Sequence, residues 1–261
     1  MSNKSYKGII NTTSIPDVPK GRDTFETPNY ATDIIIPYIP DTVKTIWECA
    51  SGGNKIVNRL RSYGYGVWAT DIRFNPSLHD GNTNFVLDDF SDVPLDEIDA
   101  VITNPPFSLK KLFVQRAFTL DKPFAFLVSA DYSSWNISLI EMGCEKIIPK
   151  SRISFITPNI ITRVHEGEVW NNFVKPELIK EVGKDILNMK DYKKHYPSHW
   201  NRVMDEHKDF HNYKSKDEIP SELLYKHSRV QFHSMWLTYG FNIGITETFV
   251  DLPVKIRKEN M

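Results

Sequence analysis

The tetrapeptide Asn104-Pro105-Pro106-Phe107 directly follows a mostly apolar run, residues 100–103. Two successive prolines fix φ and remove two backbone donors, so the carbonyl groups of this turn are left as hydrogen-bond acceptors. The Asn104 side-chain oxygen and the Pro105 carbonyl can together accept both hydrogens of an exocyclic amine, and the Phe107 ring can stack on a planar ring. The motif therefore suits an aminated heterocycle.

The chemistry that this motif predicts is the attack of an amine nitrogen on a methyl group. The amine of adenine or cytosine is a poor nucleophile because its lone pair is conjugated with the ring. Acceptors aimed at its two hydrogens favour a pyramidal nitrogen, whose lone pair can attack a methyl sulfonium in line without a strong base. A simpler interpretation stays open, in which the Pro-Pro pair only ends a strand and Phe107 fills the core.

Small and acidic residues follow three further predicted strands. A nucleoside with a methionine tail needs small residues for close approach of the backbone, a carboxylate for the ribose hydroxyls and an acceptor for its adenine amine. The chain offers such residues in this order along the sequence. The candidate cofactor-binding residues are Glu48, Ala50, Gly52, Asp71, Ile72, Asp89, Phe90 and Asn104.

The elements that must position these residues are βαβ units. Short apolar runs alternate with helix-like segments from Thr45 to Asp131, which predicts an α/β fold with a doubly wound, mostly parallel sheet. Strands are expected at 45–47, 67–71, 85–88, 100–104, 124–128, 152–156 and 235–239, and helices near 56–64, 108–120 and 133–142. Ligands of such sheets bind at the carboxyl ends of the strands, where the candidate residues lie.

The chain has 261 residues, 40% of them hydrophobic, and a net charge of −1. This length accommodates one α/β core with a sizeable insertion. The expected organisation is a polar N-terminal arm at 1–24, a catalytic core at 25–158, a charged and His-rich insertion at 159–229, a return to the core at 230–254 and a polar tail at 255–261.

Cysteine and histidine usage argues against a metal site or a disulfide framework. Cys49 and Cys144 are too far apart in sequence for either pattern. The pairs His195/His199 and His207/His211 have a spacing that would permit metal binding on a helix. Pro197 interrupts the first pair, so we expect surface histidines and no metal. No apolar stretch approaches the roughly 18 residues of a membrane span, and a soluble cytoplasmic protein is expected.

With these motifs in this order, the chain resembles the N6-adenine branch of the class I, Rossmann-like methyltransferases over about residues 24–131. The resemblance implies S-adenosylmethionine as cofactor and a seven-stranded sheet with a helical or irregular insertion between late strands. It makes Asn104 to Phe107 the catalytic tetrapeptide, Glu48 to Gly53 the cofactor loop, Thr27-Pro28 a support for the methionine end, Asp71 the ribose ligand, and Asp89-Phe90 the adenine contact. Having Thr27-Pro28 first matches the γ order of motifs.

The resemblance has departures and alternatives. Cys49 stands where the family commonly has proline, and Gly52-Gly53-Asn54 replaces the usual glycine spacing. Asp71 and Asp89 could be ordinary turn acids, and Thr27-Pro28 could simply begin a helix. Two phenylalanines, Phe155 and Phe232, could stack on an extruded base or belong to the core.

The chain has an insertion between the later strands and a Phe-x-Ser-x-Trp-like strand at Phe232-His233-Ser234-Met235-Trp236. In these features it is similar to phage and prophage DNA adenine methyltransferases, which implies duplex DNA as partner and extrusion of the target adenine. The expected setting is the cytoplasm of a bacterium or of a phage-infected host, with the protein as a monomer. The insertion would supply phosphate contacts and stacking. Its candidates are Arg163, Lys175, Lys193, Lys194, Arg202, Lys214 and Arg229 for phosphates, and Trp170, Tyr192, Tyr196 and Trp200 for stacking.

Four alternatives to this substrate assignment stay open. The insertion could be a mixed-charge helical cap with no nucleic-acid role. Adenine in structured RNA could be the substrate, because the same tetrapeptide serves both polymers. A glutamine amide in a protein is a further planar amine. Finally, the chain could be a catalytically silent, methyltransferase-like binding module that pairs with an active partner.

Overall fold

The structure is a computed structural model that describes residues 25–182, 187–211, 213–227 and 232–252. The expected N-terminal arm at 1–24, the tail at 255–261 and the phosphate candidate Arg229 lie outside the described residues. None of the described helices combines the length and the apolarity that a membrane span requires.

A seven-stranded sheet forms the centre of the fold, in the order β2-β1-β3-β4-β6-β5-β7. Its strands are β1 (Thr45–Glu48), β2 (Gly66–Ala69), β3 (Ala100–Thr103), β4 (Phe124–Ser129), β5 (Glu145–Pro149), β6 (Ser234–Tyr239) and β7 (Glu247–Val250). All pairings are parallel except those of β6, which runs antiparallel between β4 and β5. The predicted fold class, a mostly parallel α/β sheet with seven strands, is confirmed.

Helices α2 (Lys55–Ser62), α3 (Lys110–Ala117) and α4 (Ser134–Glu141) connect successive strands, and α1 (Asn29–Asp33) precedes β1. In α2, Ile56, Val57 and Leu60 are buried on one face, and Gly64 follows the helix with a φ of +91°. A left-handed glycine of this kind is a common end for a helix.

The central strands are apolar on both faces because helices cover both sides of a parallel sheet. In β4, the residues from Phe124 to Val128 are buried. On one side they join a core that contains Trp47, Phe85 and Phe113. The registers Trp47↔Val101 and Thr103↔Phe126 place the carboxyl ends of β1, β3 and β4 at the same edge of the sheet.

Two expected strands are not formed. Residues 85–87 form a turn, because the backbone and side-chain oxygens of Asn84 accept the amides of Val86, Leu87 and Asp88. Such a local side-chain bond competes with a strand ladder. Residues 152–155 lie in irregular structure. Strands β5 and β7, which complete one side of the sheet, lie where no strand is expected from the sequence.

The chain divides into two compact units. The first, called here the sheet unit, contains the residues up to Phe155 and those from Val230 onward; the second, the helical unit, contains Ile156–Arg229. The helical unit has α5 (Ile160–Val169), a π-helical turn (Trp170–Val174), α6 (Lys175–Val182), α7 (Met189–His195), α8 (Pro197–Glu206) and α9 (Ser221–His227).

The aromatic residues of the helical unit mostly form its core. Trp170, Tyr192 and Trp200 are buried and pack together with Val169, Val174 and Val203. The expectation that these three rings are available for stacking is wrong, because they lie on the helix faces that pack against each other. Tyr196 is 52% exposed, so its ring is accessible.

Candidate active site

The Asn104 side chain lies where β3 ends, and it is held by a residue far away in sequence. Its Nδ2 donates a hydrogen bond of 3.0 Å to Thr27 Oγ1. Thr27 is buried and precedes α1, which begins at Asn29 with Pro28 as its N-cap residue. The structure thus brings the Thr-Pro segment to the tetrapeptide, and the threonine hydroxyl fixes one end of the asparagine amide.

The other end of that amide is left without a partner among the described residues. Asn104 Oδ1 is buried, and no group in the described part of the chain donates a hydrogen bond to it. A buried acceptor left unpaired costs about 1–3 kcal/mol. Two consecutive prolines follow it and contribute no backbone N–H to satisfy it. The site therefore presents an unsatisfied oxygen that a ligand N–H can engage.

Glu48, the last residue of β1, is a buried acid with a strongly perturbed pKa. Its Oε1 accepts hydrogen bonds from the Thr103 hydroxyl and, at 3.2 Å, from the Ala50 amide. Burial raises the pKa of this carboxyl to about 8, with a smaller contribution from the nearby Asp71. Glu48 is therefore mainly protonated at neutral pH when no cation lies beside it.

Asp71 follows β2 and is joined to the loop after β1. Its Oδ2 accepts a 2.9 Å hydrogen bond from the Gly52 amide, and its Oδ1 accepts one of 2.7 Å from the Arg73 amide. Gly52 has a φ of +52°, and a Cβ built on it would meet no described atom within 4 Å. The space beside the Gly52 α-carbon is therefore open with respect to the described residues. A carboxylate has about four lone-pair sites, so Asp71 retains capacity for ligand hydroxyls.

His79 was not singled out from the sequence, where it is one histidine in a polar segment. It is buried, and its Nε2 lies 2.9 Å from the Gly52 carbonyl oxygen. No signal in the sequence links positions 79 and 52, because the contact depends on how the segment after β2 folds back.

Asp89 and Phe90 lie in different environments. The Phe90 ring is buried and makes edge contacts with Trp47, with centroids 4.9 Å apart, while the Arg116 guanidinium lies 4.4 Å from its centroid. Asp89 is exposed, and the Ser91 amide lowers the pKa of its carboxyl. A cavity of about 390 Å³ opens beside them. Its lining residues are Asn82, Thr83, Leu87, Asp88, Asp89, Phe90, Ser91, Asp92 and Val93.

Four phenylalanines form a cluster around the end of the tetrapeptide. The Phe107 centroid lies 4.5 Å from that of Phe232 and 5.7 Å from that of Phe155. Phe25 contacts all three, with centroids 6.1 to 6.4 Å away. Phe155 is fully buried, whereas Phe25, Phe107 and Phe232 are partly exposed. The structure therefore brings together the three predicted rings and adds Phe25, which sequence reasoning missed.

The basic candidates of the insertion lie in the helical unit, and several have acidic or polar partners. Lys193 Nζ lies 2.5 Å from Glu166 Oε1, and Arg202 lies 3.9 Å from Glu206 on the next turn. Arg163 donates to the Thr157 hydroxyl at 3.4 Å. Lys194 is exposed.

The histidine pairs contact aromatic residues. His199 Nδ1 lies 2.7 Å from the Tyr192 hydroxyl, and the His207 ring stacks on Phe173 at 3.7 Å. Within the described ranges, no three His, Cys, Asp or Glu side chains are grouped so as to hold a metal ion.

No protein-family model matches this chain, and no curated protein matches it. One similar solved structure is the methyltransferase subunit of a type I restriction-modification system from Streptococcus thermophilus, with a TM-score of 0.34 and 10% identity. The match covers 52% of this chain and 41% of that chain, so this chain spans less than half of that subunit.

Proposed function

We propose that this chain is an S-adenosylmethionine-dependent methyltransferase that modifies the exocyclic N6 amine of adenine in DNA. The observation that carries the proposal is the buried Asn104 Oδ1, unpaired among the described residues, on a rigid Pro-Pro turn at the carboxyl end of β3. An acceptor in this position is suited to an amine hydrogen. Its companion acceptor is the carbonyl of Pro105.

The residues of the site fit the cofactor. Asp71 has lone pairs for the ribose hydroxyls, and the open space beside Gly52 admits a close ligand. Glu48 is suited to the cationic methionine end, near which Thr27-Pro28 would also lie. Ile72 and the cavity beside Asp89 and Phe90 would hold the adenine ring. When bound, the cofactor supplies a methyl group made electrophilic by its sulfonium.

The chain's own residues then orient the target amine. Asn104 Oδ1 and the Pro105 carbonyl accept its two hydrogens, so that the nitrogen lone pair is directed away from them. Thr27 Oγ1 holds Asn104 Nδ2 and keeps the amide from rotating. Pro106 keeps the turn rigid, and the ring of Phe107 stacks on the base, supported by Phe155 and Phe232. After the transfer the methylated nitrogen carries a positive charge, and it releases one of its two hydrogens as a proton to water.

Methyl transfer from labelled S-adenosylmethionine to unmethylated duplex DNA, RNA and protein extract tests the proposal. We expect label in DNA as N6-methyladenine. Asn104→Ala should lower kcat by about 10²–10³-fold, as loss of a preorganised polar contact does in other enzymes. Asn58→Ala, which changes an exposed asparagine on α2, is the matched control and should keep full activity.

Other outcomes distinguish the alternatives. Label in RNA alone would keep the mechanism and change the substrate. Label on protein glutamine would do the same for a protein amide. Tight cofactor binding without label in any pool would favour a silent binding module.

We further propose that basic residues of the helical unit contact DNA phosphates. Lys194 is exposed, whereas the neighbouring Lys193 is paired with Glu166. Lys194→Ala should therefore weaken DNA binding more than Lys193→Ala and reduce the slope of log affinity against log salt by about 1. Equal slopes for both variants and the wild type would argue for a helical cap without phosphate contacts.

A further inference from the structure

A buried histidine lies against the loop after β1 and has no part in the proposed chemistry. The Asn75 amide donates a 3.1 Å hydrogen bond to His79 Nδ1. Because Nδ1 is an acceptor, the ring proton is on Nε2, which donates to the Gly52 carbonyl at 2.9 Å. Both ring nitrogens are thus engaged with the backbone, and His79 is only 7% exposed.

Three hydrogen bonds join the loop after β1 to the segment that follows β2. Besides the His79 bond to the Gly52 carbonyl, the Gly52 amide donates to Asp71, and Asn54 Nδ2 donates to the Leu78 carbonyl at 2.5 Å. Asn54 is itself left-handed, with a φ of +61°. Both peptide groups that flank Gly52 are therefore fixed, one through its N–H and the other through its C=O.

The segment that follows β2 is itself hydrogen-bonded to the end of that strand. The Ala69 amide, at the end of β2, donates to Asp80 Oδ2 at 2.8 Å, and Thr70 pairs with Gly81 in an isolated parallel bridge. His79 lies directly before these anchors. Its ring is consequently a rigid support for the loop and not a free surface group.

On the basis of the proposed function, we infer that His79 is a positioning residue for the cofactor. It acts through Gly52: its Nε2–H holds the Gly52-Gly53 peptide so that the open side of the loop faces the nucleoside, while Asp71 holds the preceding peptide. The hydrogen bond from His79 lies at the segment Gly52-Gly53-Asn54, whose glycine spacing differs from the usual one.

Calorimetric binding of S-adenosylhomocysteine tests the inference without requiring turnover. His79→Phe keeps a ring but leaves the Gly52 carbonyl without its donor, and should weaken binding about tenfold or more, as expected for an unpaired buried acceptor. His79→Gln retains a donor that can reach the carbonyl and should bind within about threefold of the wild type, since one net hydrogen bond contributes modestly. His165→Gln is the matched control, because His165 also contacts a backbone carbonyl, that of Phe210 in the helical unit.

Steady-state kinetics provides a second readout. His79→Phe should raise KM for S-adenosylmethionine, with kcat at saturating cofactor and KM for DNA nearly unchanged, because the residue does not touch the reacting atoms. Protection of Cys49 and Cys144, both buried in the sheet unit, against a thiol reagent shows whether each variant is folded. If His79→Phe is unfolded, His79→Asn takes its place in the comparison with His79→Gln. The asparagine side chain is too short to keep both hydrogen bonds, so the folded His79→Asn variant should show impaired binding.

The outcomes separate the two proposals. Tight binding by the wild type together with equally tight binding by the folded Phe or Asn variant would overturn the inference about His79 alone. A fall in kcat without a change in KM for the cofactor would also overturn it. Failure of the wild type to bind S-adenosylhomocysteine would overturn the proposed function, and this inference with it.

Discussion

Replacing Glu48 by glutamine should stabilise the sheet unit at neutral pH while weakening the proposed cofactor site. Glu48 is 1% exposed, and its Oε1 accepts hydrogen bonds from the Thr103 hydroxyl and the Ala50 amide. Glutamine keeps an oxygen for both donors and removes only the titrating group. Any difference in pH dependence between the two proteins therefore reports the ionisation of Glu48.

The expected magnitude follows from the pKa of Glu48, which burial raises from 4.5 to about 8. Between these pH values the unfolded chain has lost a proton that the folded chain keeps. The free energy of unfolding therefore falls as pH rises, by about 1.4 kcal/mol per pH unit. Below pH 4.5 the group is protonated in both states, and well above pH 8 it is ionised in both, so the slope is confined to this window. From pH 5 to pH 7 the wild type should lose about 3 kcal/mol relative to Glu48→Gln.

Thiol labelling in increasing urea measures this effect in the sheet unit. The chain has two cysteines, Cys49 and Cys144, and both are buried there, so their modification reports the unfolding of that unit alone. Each pulse must be long enough to modify the urea-unfolded chain completely at the chosen pH. Wild type and variant should have similar midpoints at pH 5 and diverge by pH 7. Parallel pH dependence of the two proteins would refute the reasoning, because Glu48 would then ionise normally in the folded chain.

Three further predictions follow from the same structure. Calorimetry of S-adenosylmethionine binding at pH 7 in buffers of different ionisation enthalpy should show proton release, which Glu48→Gln should abolish, because a cation beside Glu48 favours its ionised form. For the same reason the affinity should rise with pH up to about pH 8. Binding without proton release would place the cation elsewhere. Gly240→Ala should lower the free energy of unfolding, measured in urea, by about 1 kcal/mol more than Gly244→Ala does. Both glycines have a positive φ, but of the two only Gly240 would place a Cβ 3.3 Å from Pro123. Equal losses in the two variants would contradict this. Phe232→Leu should lower kcat/KM for DNA about threefold to tenfold, because the ring contact with Phe107 is lost. The control Phe249→Leu, which changes an exposed ring, should leave kcat/KM unchanged. Equal kcat/KM values for the two variants would remove Phe232 from the site.

Local pattern in the sequence determined much of the sheet. Strands β1, β3 and β4 are short apolar runs that end in polar residues, and burial on both faces requires that composition. The placement of Asn104 after β3 follows from the same pattern. The expectation of a strand at 85–88 was wrong because Asn84 offers its own oxygens to the following amides, a local bond that apolar periodicity does not register.

Only the tertiary structure decided which of these residues meet. Three contacts join segments that are far apart in the sequence. They are the hydrogen bond between Thr27 and Asn104, the hydrogen bond from His79 to Gly52, and the packing of Phe25 against Phe107. Likewise, the raised pKa of Glu48 depends mainly on its burial within the sheet unit. Sequence by itself thus determined the kinds of side chain at the strand ends, because strand formation is governed by local composition. Their partners and charge states depended on the folded chain, because distance and solvent exclusion arise only from long-range packing.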